Sequence, residues 1–200
     1  MKRALMFTAA AAAALSLAAC QKAKDTTTDV GQSPPVNAAQ DATSAAVGAT
    51  SAATLGSHDT GAFVSNAAQS DMYEIKAGQL ASTRGQSAGV KDFGKMMVTQ
   101  HSAMTNEMKP LITAAGQTPP AGLDERRQGL LDNLTSASNA DFDKVYLDQQ
   151  EAAHSEALTL MQGYADNGDD AGLKAGAAKA VPKVQMHLDK VKALKAALGK

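Results

Sequence analysis

The sequence has no tryptophan, and phenylalanine and tyrosine together make up 4% of its 200 residues. Strands draw on β-branched and aromatic side chains. A core left to alanine, leucine, valine and methionine suits helices instead. Cysteine occurs once, at Cys20, which excludes an internal disulfide. Excess charge is also missing: 19 lysines and arginines face 20 aspartates and glutamates. Nucleic-acid binding calls for a concentrated basic face, so nucleic acid is not an expected partner. The one long apolar run, Ala4 to Leu17, is too short to span a bilayer as a helix. No nucleophile elbow, phosphate-binding glycine loop or Ser/His/Asp set can be placed, so no catalytic residues are assigned.

What is present begins with that run. It follows Lys2 and Arg3 and ends in LAAC, Leu17 to Cys20, the layout of a secretory leader over residues 1–19. The ending resembles the bacterial lipobox, which implies that Cys20 becomes the first residue and carries a lipid. The alternative is a plain signal peptide with a chance cysteine. Gln21 follows, not the aspartate that retains enterobacterial lipoproteins at the inner membrane. Resemblance to that sorting rule implies an outer-membrane anchor facing the periplasm, so the expected partner is the membrane itself, through Cys20. No protein partner or oligomeric state can be read. Loss of the leader removes two basic residues (19 − 2 = 17 against 20 acidic), for a formal charge of −3. Lys179, Lys183, Lys190, Lys192 and Lys195 gather late in the chain, mostly off the apolar stripe. They read as a solvated face, with contact to anionic headgroups the alternative.

Residues 20–57 are rich in Ala, Thr, Ser, Gln and Asp, contain Pro34-Pro35 and have almost no large apolar residues. Such a stretch buries too little surface to offset its ordering entropy, and the expectation is a disordered tether. The domain proper runs over 58–200. Asp59 is a plausible N-cap for a first helix over about 59–84, with Gly85 near its end. A second, about 88–115, carries Val90, Phe93, Met97, His101, Met104, Met108, Leu111 and Ala115 at alternating steps of three and four, the spacing of one buried helix face. Pro110 is expected to kink or loosen it, since proline cannot donate to the carbonyl of Asn106. A short amphipathic helix over 122–136 lies within the connection. A third long helix covers about 141–166 and ends at Asn167-Gly168. The fourth, about 170–198, has the stripe Leu173, Ala177, Ala180, Val184, His187, Val191, Leu194, Leu198, interrupted by Pro182. Four long helices with one long crossover describe an all-α four-helix bundle with a short extra helix between helices 2 and 3.

Polar residues interrupt the stripes at one level. His101 lies between Met97 and Met104, His187 between Val184 and Val191, and His154 on a stripe with Leu147, Leu158 and Met161. Glu151 stands one turn before His154, and Glu74 points the same way as Phe63, Ala67 and Ala81. All fall near the middle of their helices, so they share a layer whichever way neighbours run. His58, before the first helix, is expected to be solvated. A lone histidine on an apolar stripe is ordinarily a hydrogen-bonded core residue. Several such groups buried together must satisfy one another, bind water or bind a cation. Glu74, His101, Glu151, His154 and His187 are therefore candidate ligands for a single Zn, Fe or Cu ion, with Glu151 either a ligand or an orienter of a histidine. A metal-free polar network, such as Glu74 paired with a charged histidine, is the alternative. Met97, Met104, Met108 and Met161 line the same faces and Met186 adjoins His187; thioethers favour Cu(I), and methionine is also a common core filler.

The stretches DMYEIKAGQLA (71–81), VKDFGKMMVTQH (90–101), FDKVYLDQQEAAHSEAL (142–158) and VPKVQMHLDKVKAL (181–194) together resemble the bacterial domain-of-unknown-function family 4142. The resemblance covers about residues 60–198. It implies a ferritin-like bundle and a place in the cell envelope, often as a lipoprotein, and brings no established activity. Ferritin-like di-iron proteins use a Glu from each of two helices and Glu-x-x-His from each of the others. Glu151-x-x-His154 fits, and Glu74 matches a helix-one carboxylate. Val98 and Val184, three residues before His101 and His187, replace the carboxylates that would bridge a second ion. One histidine-rich, mononuclear site is what this pattern supports.

Overall fold

The computed structural model describes residues 34–199. The leader expected over 1–19 and the lipid-bearing Cys20 lie outside the described residues. Six α-helices follow one another: α1 (Pro34–Ala53), α2 (Thr60–Arg84), α3 (Ala88–Ala114), α4 (Glu125–Ser136), α5 (Phe142–Asn167) and α6 (Ala171–Leu198). A 3₁₀ turn, Leu55–Ser57, joins α1 to α2, and there is no strand among the described residues. Helices α2, α3, α4 and α6 start where side chains replace the missing backbone acceptors. Asp59, Ser87, Asp124 and Asp170 each accept from the backbone N–H three residues on, and each such cap is worth about 1 kcal/mol. Gly116, at φ 68°, follows the end of α3. Pro110 and Pro182 both sit inside helices that continue past them.

The long helices α2, α3, α5 and α6 form the bundle. Helix α2 packs on α3 and α5, and α6 packs on the same two, so α3 and α5 stand on a diagonal. Two contacts fix the direction of α5. At one end, the Asp143 carboxylate accepts from the backbone N–H groups of Gln86 and Ser87, at 2.7 and 2.8 Å, beside the α2–α3 turn. At the other, Tyr164 stacks on Phe63 with ring centroids 3.9 Å apart and shares a hydrogen bond with Thr60 at the start of α2. Helix α5 therefore runs parallel to α3, and the connection carrying α4 must travel the length of the bundle. Helices α2 and α3 approach closely at Gly78 and Gly94, where a Cβ on either would stand 2.7 Å from the other's carbonyl oxygen.

Helix α1 corrects the expected tether over residues 34–57. It lies against α5 and α4 with Ala52 buried. Asp41 accepts from Asn133 and Gln149, both at 2.7 Å, and the Ser44 carbonyl accepts from Arg126 at 3.1 Å. Gly48 is buried directly over the Arg126–Glu156 pair, so that a side chain there would collide with the Glu156 carboxylate. A count of large apolar residues missed this helix because small residues and hydrogen bonds hold it. Alanine also gives the segment the best intrinsic helix propensity.

The core falls into two apolar clusters. One gathers Phe63, Met104, Met108, Leu160, Tyr164 and Leu173 with their neighbours. The other gathers Tyr73, Phe93, Met97, Phe142, Tyr146 and Leu147. Between their sequence levels, on all four bundle helices, lie Glu74, His101, Gln150, His154 and His187, each at most 2% exposed.

Candidate metal centre

His101 on α3, His154 on α5 and His187 on α6 meet at the centre of that layer. One ring nitrogen from each lies within 4.8 Å of the others. The ring centroids are 5.2 to 5.7 Å apart. What each ring does with its other nitrogen decides the chemistry. His101 Nδ1 is 2.8 Å from Asp71 Oδ1, whose second oxygen accepts from the Thr105 hydroxyl at 2.9 Å. His154 Nδ1 donates to the Gln150 carbonyl one turn back, at 2.8 Å. His187 Nε2 is held by Gln100 Oε1 at 2.6 Å. With those three nitrogens acting as donors, the neutral rings keep lone pairs on His101 Nε2, His154 Nε2 and His187 Nδ1. All three are buried and have no hydrogen-bond partner. Metal-binding histidines are characteristically oriented in this way, with the second nitrogen given to a carboxylate, carbonyl or similar acceptor.

An ion bonded at about 2.0 Å to each ring would need the nitrogens roughly 3.4 Å apart, an inward movement of less than about 1 Å per ring. The electrostatics favour lone pairs on two of the rings. Burial, aided by the charges of His101 and His187, holds the His154 pKa well below the ordinary range. Burial, with His101 and Lys183, pushes His187 down to about 3. His101 differs. Burial pulls its pKa down, but the hydrogen bond to Asp71 and the charges of Glu74 and Asp71 together bring it above the usual value. An arriving cation would displace a proton from this ring.

Glu74 belongs to the same layer but not to the three-nitrogen group. Its Oε1 lies 3.9 Å from His154 Nδ1, the ring nitrogen already engaged by the Gln150 carbonyl. Both its carboxylate oxygens are buried without partners, as are the amide atoms of Gln150 and the hydroxyl of Tyr146. Burial lifts Glu74 to about 7, against the opposing pull of His101 and of the nearby Gln150 side chain.

Glu151 is a correction. It lies at the rim of α5, 33% exposed, with Oε2 2.5 Å from Lys195 Nζ on α6. Three residues turn a helix through 300°, which leaves Glu151 about 60° away from His154. A carboxylate with a lysine in reach at the surface has no cause to enter a dry core. Gln150, four residues before His154, is the buried neighbour instead, on the alternating series Leu147, Gln150, His154, Ala157, Met161, Tyr164. That series, and Asp71 three residues before Glu74, were available in the spacing; nothing in it marks Gln100. Met97, Met104, Met108 and Met161 are buried in the two apolar clusters, Met186 is exposed, and His58 is exposed as expected.

The family model described as a domain of unknown function, DUF4142, matches residues 42–194. The chain belongs to this family. The match includes the second half of α1, so the DUF4142 domain takes in the helix docked on α5 as well as the four bundle helices. Comparison with curated proteins gives no match, and comparison with solved structures gives none. No helix among the described residues is long and apolar enough to cross a membrane.

Proposed function

We propose that this DUF4142 protein is an envelope lipoprotein whose ferritin-like domain binds one transition-metal ion through His101 Nε2, His154 Nε2 and His187 Nδ1, with Glu74 as the neighbouring negative charge. One observation carries the reading: three buried histidines bring a ring nitrogen each within 4.8 Å of one another, and every ring has one buried nitrogen without a partner while its opposite nitrogen is engaged. Leaving such groups unpaired costs about 1–3 kcal/mol each, and a cation relieves all three at once. The parallel diagonal of α3 and α5, joined by one long crossover, supports the ferritin-like description. The histidines are at most 2% exposed, which favours holding an ion over exposing it to substrate. The lipoprotein part rests on LAAC before Gln21, and the outer membrane is the destination this ending favours.

Elemental analysis of the full-length protein, purified without a histidine tag, tests the reading. Thermal unfolding with EDTA and with added Zn²⁺, Cu²⁺ or Fe²⁺ accompanies it. An ion at about 100 times its dissociation constant adds about 2.7 kcal/mol, or roughly 5–10 °C for a domain of this size. Stoichiometric metal and such a shift, both lost in His101→Ala, are expected. No metal and no shift would leave a metal-free polar layer and an interaction module in its place.

A further inference from the structure

The seam between α3 and α6 carries more than the Gln100–His187 contact. One to two turns toward the C-terminal end of α3, the two helices leave a groove of about 60 Å³ whose lining includes Met104, Met108, Gly176, Lys179 and Lys183. Gly176 makes the room: a Cβ there would stand 2.8 Å from Met108 Sδ. His101 is one turn before Met104, and His187 one turn after Lys183. The groove and the three-nitrogen group are thus successive levels of the same seam. Lys183 is held at the rim by an ion pair with Glu107 at 2.9 Å.

We propose that the ion is Cu(I), bound in a three-coordinate nitrogen site and loaded along this seam past the thioethers of Met108 and Met104. The inference rests on the metal-binding reading above and selects among the ions it allows. Zn²⁺ in closed sites takes four protein ligands, and with three it completes its shell with water. Here three nitrogens converge, and no further His, Cys, Asp or Glu among the described residues joins them. All three rings are buried away from the solvent that would supply water as a fourth ligand. A closed-shell monovalent ion that accepts three donors in a plane needs neither. Imidazole and thioether are both suited to copper, and thioether is a poor ligand for zinc.

The test is an anaerobic titration of full-length protein with Cu(I) against a chromophoric Cu(I) chelator, run beside Zn²⁺ and Fe²⁺ titrations, with X-ray absorption on the loaded protein. One Cu(I) per chain with three nitrogen scatterers is expected. His187→Ala should weaken it by about 100-fold. In the double variant Met104→Leu, Met108→Leu, which conserves core volume, final stoichiometry and Tm should hold while loading slows about tenfold. Zn²⁺ or Fe²⁺ held in preference to Cu(I), or a shell of four or more donors, overturns the copper assignment and leaves the metal-binding reading standing. Loading at an unchanged rate in the double leucine variant overturns the route. Failure of every ion to bind removes the reading itself.

Discussion

Asp71 Oδ1 sits 2.8 Å from His101 Nδ1, and its other oxygen takes the Thr105 hydroxyl, so one buried carboxylate fixes both the rotation and the tautomer of the ring. The aspartate comes from α2 and the histidine from α3, so the pair ties the two helices together and orients the ring. Replacing Asp71 with Asn removes the charge and the preference for an Nδ1 proton while keeping the volume. Metal affinity should fall about 10–100-fold with little change in helical circular dichroism. Unchanged affinity would mean that packing alone sets the ring.

Acid should destabilise the ion-free protein. His154 and His187 have depressed pKa values, so their contribution to stability is present above the ordinary 6.5 and is lost as pH falls below it. Glu74, raised to about 7 from 4.5, works the other way: its contribution is full below 4.5 and is lost as pH rises toward 7. Between those ordinary values the unfolded chain gains two protons that the native form refuses, and the native form keeps one that the unfolded chain lacks. The net slope is one proton, about 1.4 kcal/mol lost per pH unit on acidification. Urea midpoints measured in EDTA between pH 6.5 and 4.5 check this. Glu74→Gln removes the opposing group and should steepen the fall; a flatter profile would contradict the assignment.

At the α2–α3 contact, Gly94→Ala ought to gain about 1 kcal/mol of helix propensity. The new methyl would instead stand 2.7 Å from the Gly78 carbonyl and 2.8 Å from Ala81 Cβ. Overpacking of this kind costs about 1–3 kcal/mol. We expect a net loss in chemical denaturation, and a stabilised variant would show that the helices have room to part.

Helix α1 can be tested apart from the bundle. Gly48→Leu places a side chain against the Glu156 carboxylate and the Arg126 guanidinium. Limited proteolysis should then cut within 34–57 while a fragment containing α2 to α6 persists. If α1 stays protected, its docking does not depend on that close approach.

Much of this architecture was legible because large apolar residues mark it. The stripes of α3 and α6 place His101 and His187 inward by simple periodicity, and Asp59 and Gly85 set the ends of α2. Two kinds of feature escaped. Helix α1 is held by Gly48, Ala52 and the side chain of Asp41, none of which contributes to a hydrophobic pattern. Gln100 is partly exposed and adjacent to His101, so only the packing of α3 on α6 shows that it holds His187. Glu151 stands off the buried face because a three-residue step reaches only its edge, where Lys195 of α6 pairs with it.

The diagonal placement of α3 and α5 has a consequence for the order of assembly. Each histidine lies on a different helix, and the chain must pass through the whole crossover between the first and the second. The α2–α3 hairpin alone holds one of them, and the α5–α6 hairpin holds two. No single hairpin contains the cluster, so it exists only once the two hairpins have docked. An ion that needs all three rings would recognise finished molecules and would act as a late clasp, not as a seed for folding.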